Sequence, residues 1–209
     1  MKIRVNTDSS YIRMLNAVPC SDEFDIYIND NLVFRDIRYK DFTPYTPTVP
    51  GNYEIEIYKS GDKEKLLHRH SLTIAGGNAG TIVITGLTPK LMVLAVFEDP
   101  TETVEFGNAK FRVAHLSPTT SPVDINVNTV RMIDEIPFGK RTNYAEVPKG
   151  IYEFVIEENE FDRIEKNKEL KIRNKIEIKN EKIYTLYIVG DFPNVEIIQS
   201  LDLTTYMNN

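Results

Sequence analysis

Val123-Asp124-Ile125-Asn126-Val127-Asn128 alternates apolar and polar side chains without interruption, and Phe24-Asp25-Ile26-Tyr27-Ile28-Asn29 follows the same rhythm. A period of two sends every second side chain to one face, the pattern of a strand with one buried side. The two stretches stand about 99 residues apart, and the correspondence continues outward from both. Arg13-Met14, Pro19, Ile37, Thr43-x-Tyr45 and Val49-Pro50-Gly51-x-Tyr53-x-Ile55-x-Ile57 return as Arg112-Val113, Pro118, Ile136, Thr142-x-Tyr144 and Val147-Pro148-x-Gly150-x-Tyr152-x-Phe154-x-Ile156. The repeated positions are mostly core and turn types at fixed spacing, so the duplication reports a structural unit rather than a catalytic one.

Further strands are predicted over Tyr53 to Tyr58, Leu72 to Ala75, Thr81 to Thr85 and Leu91 to Phe97. In the second copy they are predicted over Tyr152 to Ile156, Lys175 to Ile178, Tyr184 to Val189 and Val195 to Gln199. Asn29-Asp30-Asn31 suits a tight hairpin, because Asn and Asp tolerate positive φ, and Pro50-Gly51 and Pro148-Lys149-Gly150 punctuate the chain before a Tyr-led strand. Gly76-Gly77-Asn78-Ala79-Gly80 lacks the Lys-Ser or Lys-Thr of a phosphate loop and reads as a hairpin turn. Short strands separated by such turns predict an all-β fold of two tandem immunoglobulin-like antiparallel β-sandwich domains, residues 1–100 and 101–209. The boundary is expected in Glu98 to Thr103, an acidic segment containing Pro100. Leu72 to Gly86 matches Ile176 to Gly190 at an offset about five residues larger, so the second copy carries an insertion. It falls within the charged stretch Glu157 to Asn174, expected to be a solvated hairpin loop or short surface helix.

The 209 residues are 41% hydrophobic and 10% aromatic, an ordinary composition for a chain with packed interiors, and two domains fit that length. A formal charge of -6 repels a polyanion, which argues against nucleic acid as a partner. Cys20 is the only cysteine, so no disulfide can form within the chain, and Pro19-Cys20-Ser21-Asp22 reads as a polar loop holding an unreactive thiol. The N-terminus has no apolar signal core, and no stretch approaches the roughly 20 apolar residues of a membrane span. These features predict the cytoplasm unless another route exports the product.

Arg112-Val113-Ala114-His115-Leu116-Ser117-Pro118, continued by Val123-Asp124, Val127-Asn128, Ile136-Pro137-Phe138-Gly139, Tyr144 and Val147-Pro148-x-Gly150-x-Tyr152, resembles the bacterial domain of unknown function four-three-nine-seven. The first copy keeps Asp25, Asn29, Tyr45, Pro50-Gly51 and Tyr53 of that pattern, but has Asn16 and Val18 where the second has His115 and Ser117. The resemblance implies an immunoglobulin-like sandwich, often in tandem and often in secreted or envelope-associated proteins, with no established chemistry. A ligand site built on His115 and Ser117 would be confined to the second copy.

Four groups of residues were weighed for chemistry. Asp124-x-Asn126-x-Asn128 with Glu135 imitates an EF-hand loop, but Thr129 stands where the turn needs Gly and the flanks read as strands, so an outward strand face explains it. His115, Ser117 and Asp124 have the residue types of a nucleophilic triad without an elbow or oxyanion loop, and hydrogen bonding at a strand end is preferred. His68-Arg69-His70 puts two imidazoles on one strand face, a weak metal site unless Asp or Glu joins from elsewhere in the fold, and an exposed polar edge strand is the preferred reading. Tyr39, Tyr45, Phe138 and Tyr144, near Phe42, lie in matching segments that would form an aromatic surface for a sugar or protein, or else the seam between domains. Tyr53 and Tyr152, each following a Gly, are expected to bond a backbone group at a sandwich corner.

No metal and no cofactor is expected. The function expected is that of a non-enzymatic structural or binding protein, presenting loops of two sandwiches to a protein or cell-envelope partner such as a spore or surface layer, with homo-oligomers open as an arrangement. The alternative is a carbohydrate- or metal-binding module that uses the His115 loop or the Tyr39 to Tyr45 surface.

Overall fold

Alternation becomes pairing in the computed structural model, which describes residues 9–19, 22–88, 90–98, 103–158 and 170–206. The first repeat forms β1 (Ser10–Asn16), β2 (Phe24–Ile28), β3 (Asn31–Ile37), β4 (Thr46–Thr48), β5 (Gly51–Lys59), β6 (Asp62–Ile74), β7 (Ala79–Leu87) and β8 (Lys90–Phe97). The second forms β9 (Asn108–His115), β10 (Val123–Val127), β11 (Val130–Ile136), β12 (Ala145–Pro148), β13 (Gly150–Glu158), β14 (Lys171–Ile178), β15 (Ile183–Asp191) and β16 (Asn194–Leu201). Two compact units result, Met1–Glu102 with Tyr206–Asn209, and Thr103–Thr205. Several features predicted above lie wholly or partly outside the described residues: the N-terminal segment up to Asp8, Cys20 and Ser21, the boundary residues Asp99 to Glu102, the inserted loop Asn159 to Glu169, and the tail from Met207.

Each unit is a sandwich of two four-stranded sheets. The first stacks β4-β1-β7-β8 on β3-β2-β5-β6, and the second repeats this as β12-β9-β15-β16 on β11-β10-β13-β14. Neighbours are antiparallel except for one pair in each unit: β1 runs parallel to β7, and β9 parallel to β15. The predicted alternation sets which side chains meet. Phe24, Ile26, Ile55 and Ile57 from one sheet pack with Ile12, Met14, Ile82 and Ile84 from the other. Phe111, Val113, Leu186 and Ile188 meet Val123, Ile125, Phe154 and Ile156 in the second unit. Each such fully buried side chain contributes about 1.5–3 kcal/mol relative to leaving it in water.

The hairpins are as tight as their residues suggest. Asn29 and Asp30 both take positive φ, 49° and 62°, between β2 and β3. Asn29 also accepts the Glu54 amide on its side-chain oxygen at 2.8 Å, and Asn128 does the same for Glu153 at 3.0 Å. Tyr152 donates its hydroxyl to the Pro148 carbonyl at 2.6 Å, and Tyr53 donates to the Val49 carbonyl, which pins the corner where the chain changes sheets. Gly76 to Gly80 is not a hairpin. It carries the chain from β6 in one sheet to β7 in the other, because those two strands have different neighbours.

Candidate functional site

His115 closes β9 and is fully buried, at 0% exposure. Its Nδ1 lies 2.9 Å from the Ile136 carbonyl and its Nε2 2.7 Å from the Thr120 hydroxyl, so both ring nitrogens are engaged. Burial, outweighing the backbone groups of Ile136 and Pro137, holds its pKa below the ordinary value. In the first copy Asn16 does the equivalent work, donating its amide to the Ile37 carbonyl at 3.1 Å. Ser117 is equally buried, and its hydroxyl has no hydrogen-bond partner among the described residues. Phe138 meets the His115 ring edge-on, with centroids 6.3 Å apart. The expected strand-end bonding is therefore what His115 does, and solvent does not reach the His115 and Ser117 pair.

Asp124 is nearly buried on the reverse face of β10. One carboxylate oxygen accepts the Glu135 amide at 2.9 Å, and the other pairs with Arg131 at 2.6 Å. Glu135 has φ 50°, at a register shift between β10 and β11, so the carboxylate holds a β-bulge in place. Asp25 repeats the device on the Asp36 amide at 3.1 Å, where Asp36 has φ 53°, and adds the Gly61 amide at 3.0 Å. Burial raises the Asp25 pKa, but the Gly61 and Asp36 amides, the Ser60 hydroxyl and the Arg35 charge outweigh it, and the net shift is downward.

The aromatic residues lead to a second polar device. Arg112 is 1% exposed; its Nε donates to the Thr185 hydroxyl at 2.9 Å, and its guanidinium lies 4.5 Å from the Tyr144 ring centroid. Asp202 closes the cluster, accepting the Tyr144 hydroxyl at 2.5 Å and the Thr185 hydroxyl at 2.8 Å. The first copy rebuilds it from Arg13, Thr81, Tyr45 and Glu98: Arg13 donates to Thr81 at 2.9 Å, and Tyr45 donates to Glu98 at 2.5 Å. There the guanidinium sits 4.5 Å from the Phe42 centroid and 4.4 Å from that of Tyr45. Tyr39 is half-buried, with the Lys40 ammonium 5.2 Å from its ring centroid. Tyr39, Tyr45, Phe138 and Tyr144 thus pack within their own units, and Tyr45 and Tyr144 offer their rings to arginine. Sequence reasoning had Arg13 and Arg112 as part of the repeat but did not read them as buried; an arginine in an apolar strand, repeated beside a Tyr-containing segment, was the available signal.

His68 and His70 are also placed differently from expectation. Both lie opposite core residues, Ile57 and Ile55, on an edge strand, with half-buried rings stacked at 6.2 Å. Only Arg69 between them turns outward, to pair with Glu54 and Glu56. No group of three or more His, Cys, Asp or Glu side chains suited to a metal ion occurs among the described residues.

A cleft that sequence reasoning missed opens in the first sandwich, between the edge strands β3 and β4 of its two sheets. Its enclosed space is about 70 Å³, and it opens through a wide mouth to solvent. Met14, Ile55 and Ile82 form the buried floor, Phe34 a wall, and the more exposed Val33 and Thr46 the rim. The lining is almost wholly apolar.

The family described as Domain of unknown function (DUF4397) matches over residues 10–126 and 109–208. No curated protein matches the chain. Among solved structures, one titled "Alpha-glucan binding by a streptococcal virulence factor" is 13% identical, with 85% of this chain and 93% of that chain covered at a TM-score of 0.26. A TM-score that low lends no support to a shared ligand. No helix among the described residues is long and apolar enough to cross a membrane.

Proposed function

We propose that this chain, which belongs to the DUF4397 family, is a non-enzymatic binding protein whose paired sandwiches act as rigid supports for contact with a protein or cell-envelope partner. The observation that carries the reading is the fate of the polar residues both copies share. Asp25 and Asp124 hold bulges, Arg13 and Arg112 bind their own threonines, and Tyr45 and Tyr144 reach their own acids. The side chains best suited to chemistry are committed to building the support, which leaves loops and sheet edges as working surfaces. Placement at the envelope, including a spore or surface layer, is part of the proposal.

Co-sedimentation of the purified chain with envelope material from its source organism tests this. Saturable binding is expected, insensitive to chelator. Failure to sediment with envelope or surface-layer fractions at any concentration overturns it. The sugar-binding alternative would need a surface other than Tyr45 and Tyr144, whose rings already stack with arginines.

A further inference from the structure

The cleft between β3 and β4 occurs in a fold whose second copy shows what belongs there. Ile12 on β1 aligns with Phe111 on β9, and Ile55 on β5 aligns with Phe154 on β13; both isoleucines line the cleft. The alignment is fixed by register, since Ile12 pairs with Gly80 as Phe111 pairs with Tyr184, and Ile55 with His70 as Phe154 with Asn174. In the second copy the two phenyl rings meet edge to face at 5.2 Å, and each is 0% exposed. Where the second sandwich closes its interior with two rings, the first has two shorter branched chains and an opening to solvent.

The chemistry of the lining narrows what fits. Thr46, Thr48 and Tyr53 bring the hydroxyls that border the cleft, and each donates to a nearby backbone carbonyl: Thr46 to Pro44 at 3.4 Å, Thr48 to Thr46 at 3.1 Å, and Tyr53 to Val49. Among the described residues, no side chain charged at neutral pH lines it. A charged group entering would lose its water with nothing to replace it, whereas an apolar group gains burial against Met14, Ile55 and Ile82. The cleft's enclosed space of about 70 Å³ lies below the roughly 300–1,000 Å³ of drug-sized ligand sites, so it takes one small ring or branched group rather than a large ligand.

We propose that this cleft is a binding site for a neutral apolar small molecule carrying a ring or a compact branched alkyl group, which takes the space that Phe111 and Phe154 fill in the second copy. The site is assigned to the first sandwich, where the two rings are replaced by isoleucines, and is independent of the partner surface proposed above.

The test is titration of the full chain with N-phenyl-1-naphthylamine, a neutral dye that fluoresces in apolar surroundings, with indole and toluene as competitors. Saturable one-to-one binding, displaced by both competitors, is expected. The double variant Ile12→Phe/Ile55→Phe, which installs the second copy's rings, is expected to keep its circular-dichroism spectrum and lose at least about tenfold in dye affinity. Val33→Arg, at the exposed rim, provides a variant that spares the interior and is expected to weaken the dye as well. Absence of saturable dye binding by the unaltered chain, or binding unchanged in both variants, overturns the proposal. Envelope co-sedimentation of the same variants is expected to match the unaltered chain, so failure of the cleft and failure of the partner reading give separate results.

Discussion

Arg112 and Asp202 approach to 3.5 Å with 1% of either side chain exposed, and Tyr144 and Thr185 both donate to the same carboxylate. A buried pair of this kind adds little net stability over an apolar pair of similar shape, but losing one partner strands the other charge without water. Asp202→Ala should therefore destabilise the protein by about 3–5 kcal/mol, read by urea denaturation. Loss of under about 1 kcal/mol would mean that water reaches the guanidinium and the cluster is not sealed.

Arg141 stands where the first copy has Phe42, and both bridge the neighbouring first strand of their unit, Arg141 to Ala114 and Phe42 to Leu15. Although the residue as a whole is exposed, partial desolvation of its guanidinium and the nearby Arg112 charge lower its pKa. Arg141→Phe would remove the like charge and give Arg112 a second ring, as Arg13 has. Arg141 is an exposed residue, so solvent screens the repulsion, and only a small gain of up to about 0.5 kcal/mol is expected, measured by thermal or urea unfolding. A loss would show that Arg141 has a favourable role outweighing the repulsion.

His115 makes stability depend on pH in one direction. Its folded pKa lies below the unfolded value of about 6.5, so the folded state binds the proton less readily. The stabilisation is complete above that value and is lost as pH falls through the folded pKa. Burial and the neighbouring His70 lower the His68 pKa, which acts in the same sense. His115→Asn takes the residue that the first copy uses and keeps a donor for the Ile136 carbonyl. The melting temperature of this variant should fall less steeply than that of the unaltered chain between about pH 6.5 and 5. Equal slopes would place the acid sensitivity elsewhere.

Asp25 has the opposite origin but the same outcome. With its pKa below 3.8, its contribution is full above that value and is lost as pH falls through the folded pKa. Asp25→Asn keeps the shape but replaces one of the two acceptor oxygens with a donor, facing either the Asp36 or the Gly61 amide. A cost of about 1–3 kcal/mol at neutral pH, shrinking relative to the unaltered chain as pH falls below 3.8, is expected from denaturation curves. A cost independent of pH would show that the charge plays no part.

The central strands were legible because their alternation survives in residues such as Val123, Ile125 and Val127, and the repeat then carried the fold class to both halves. β1, β4 and β12 were harder to read. β1 buries both faces, with Leu15 and Asn16 as hidden as Met14, so no alternation marks it. β4 is a three-residue edge containing Pro47. The bulges at Asp36 and Glu135 interrupt the pattern in β3 and β11 and left those strands unread. The acids Glu98 and Asp202 could not be assigned to Arg13 and Arg112 from spacing, because strands far apart in the chain bring them together. The cleft was invisible for a different reason. Ile for Phe looks conservative in a pattern of apolar residues, and only packing shows that the smaller side chain leaves space.

The parallel pairing of β1 with β7 bears on synthesis. Most of the β1 ladder waits for residues that leave the ribosome 68 positions later, since Tyr11 pairs with Ala79 and Asn16 with Ile84. Until β7 emerges, the nascent first half carries Ile12 and Met14 without the parallel neighbour that completes their own sheet. The unit thus closes late, when a strand near its start meets one near its end.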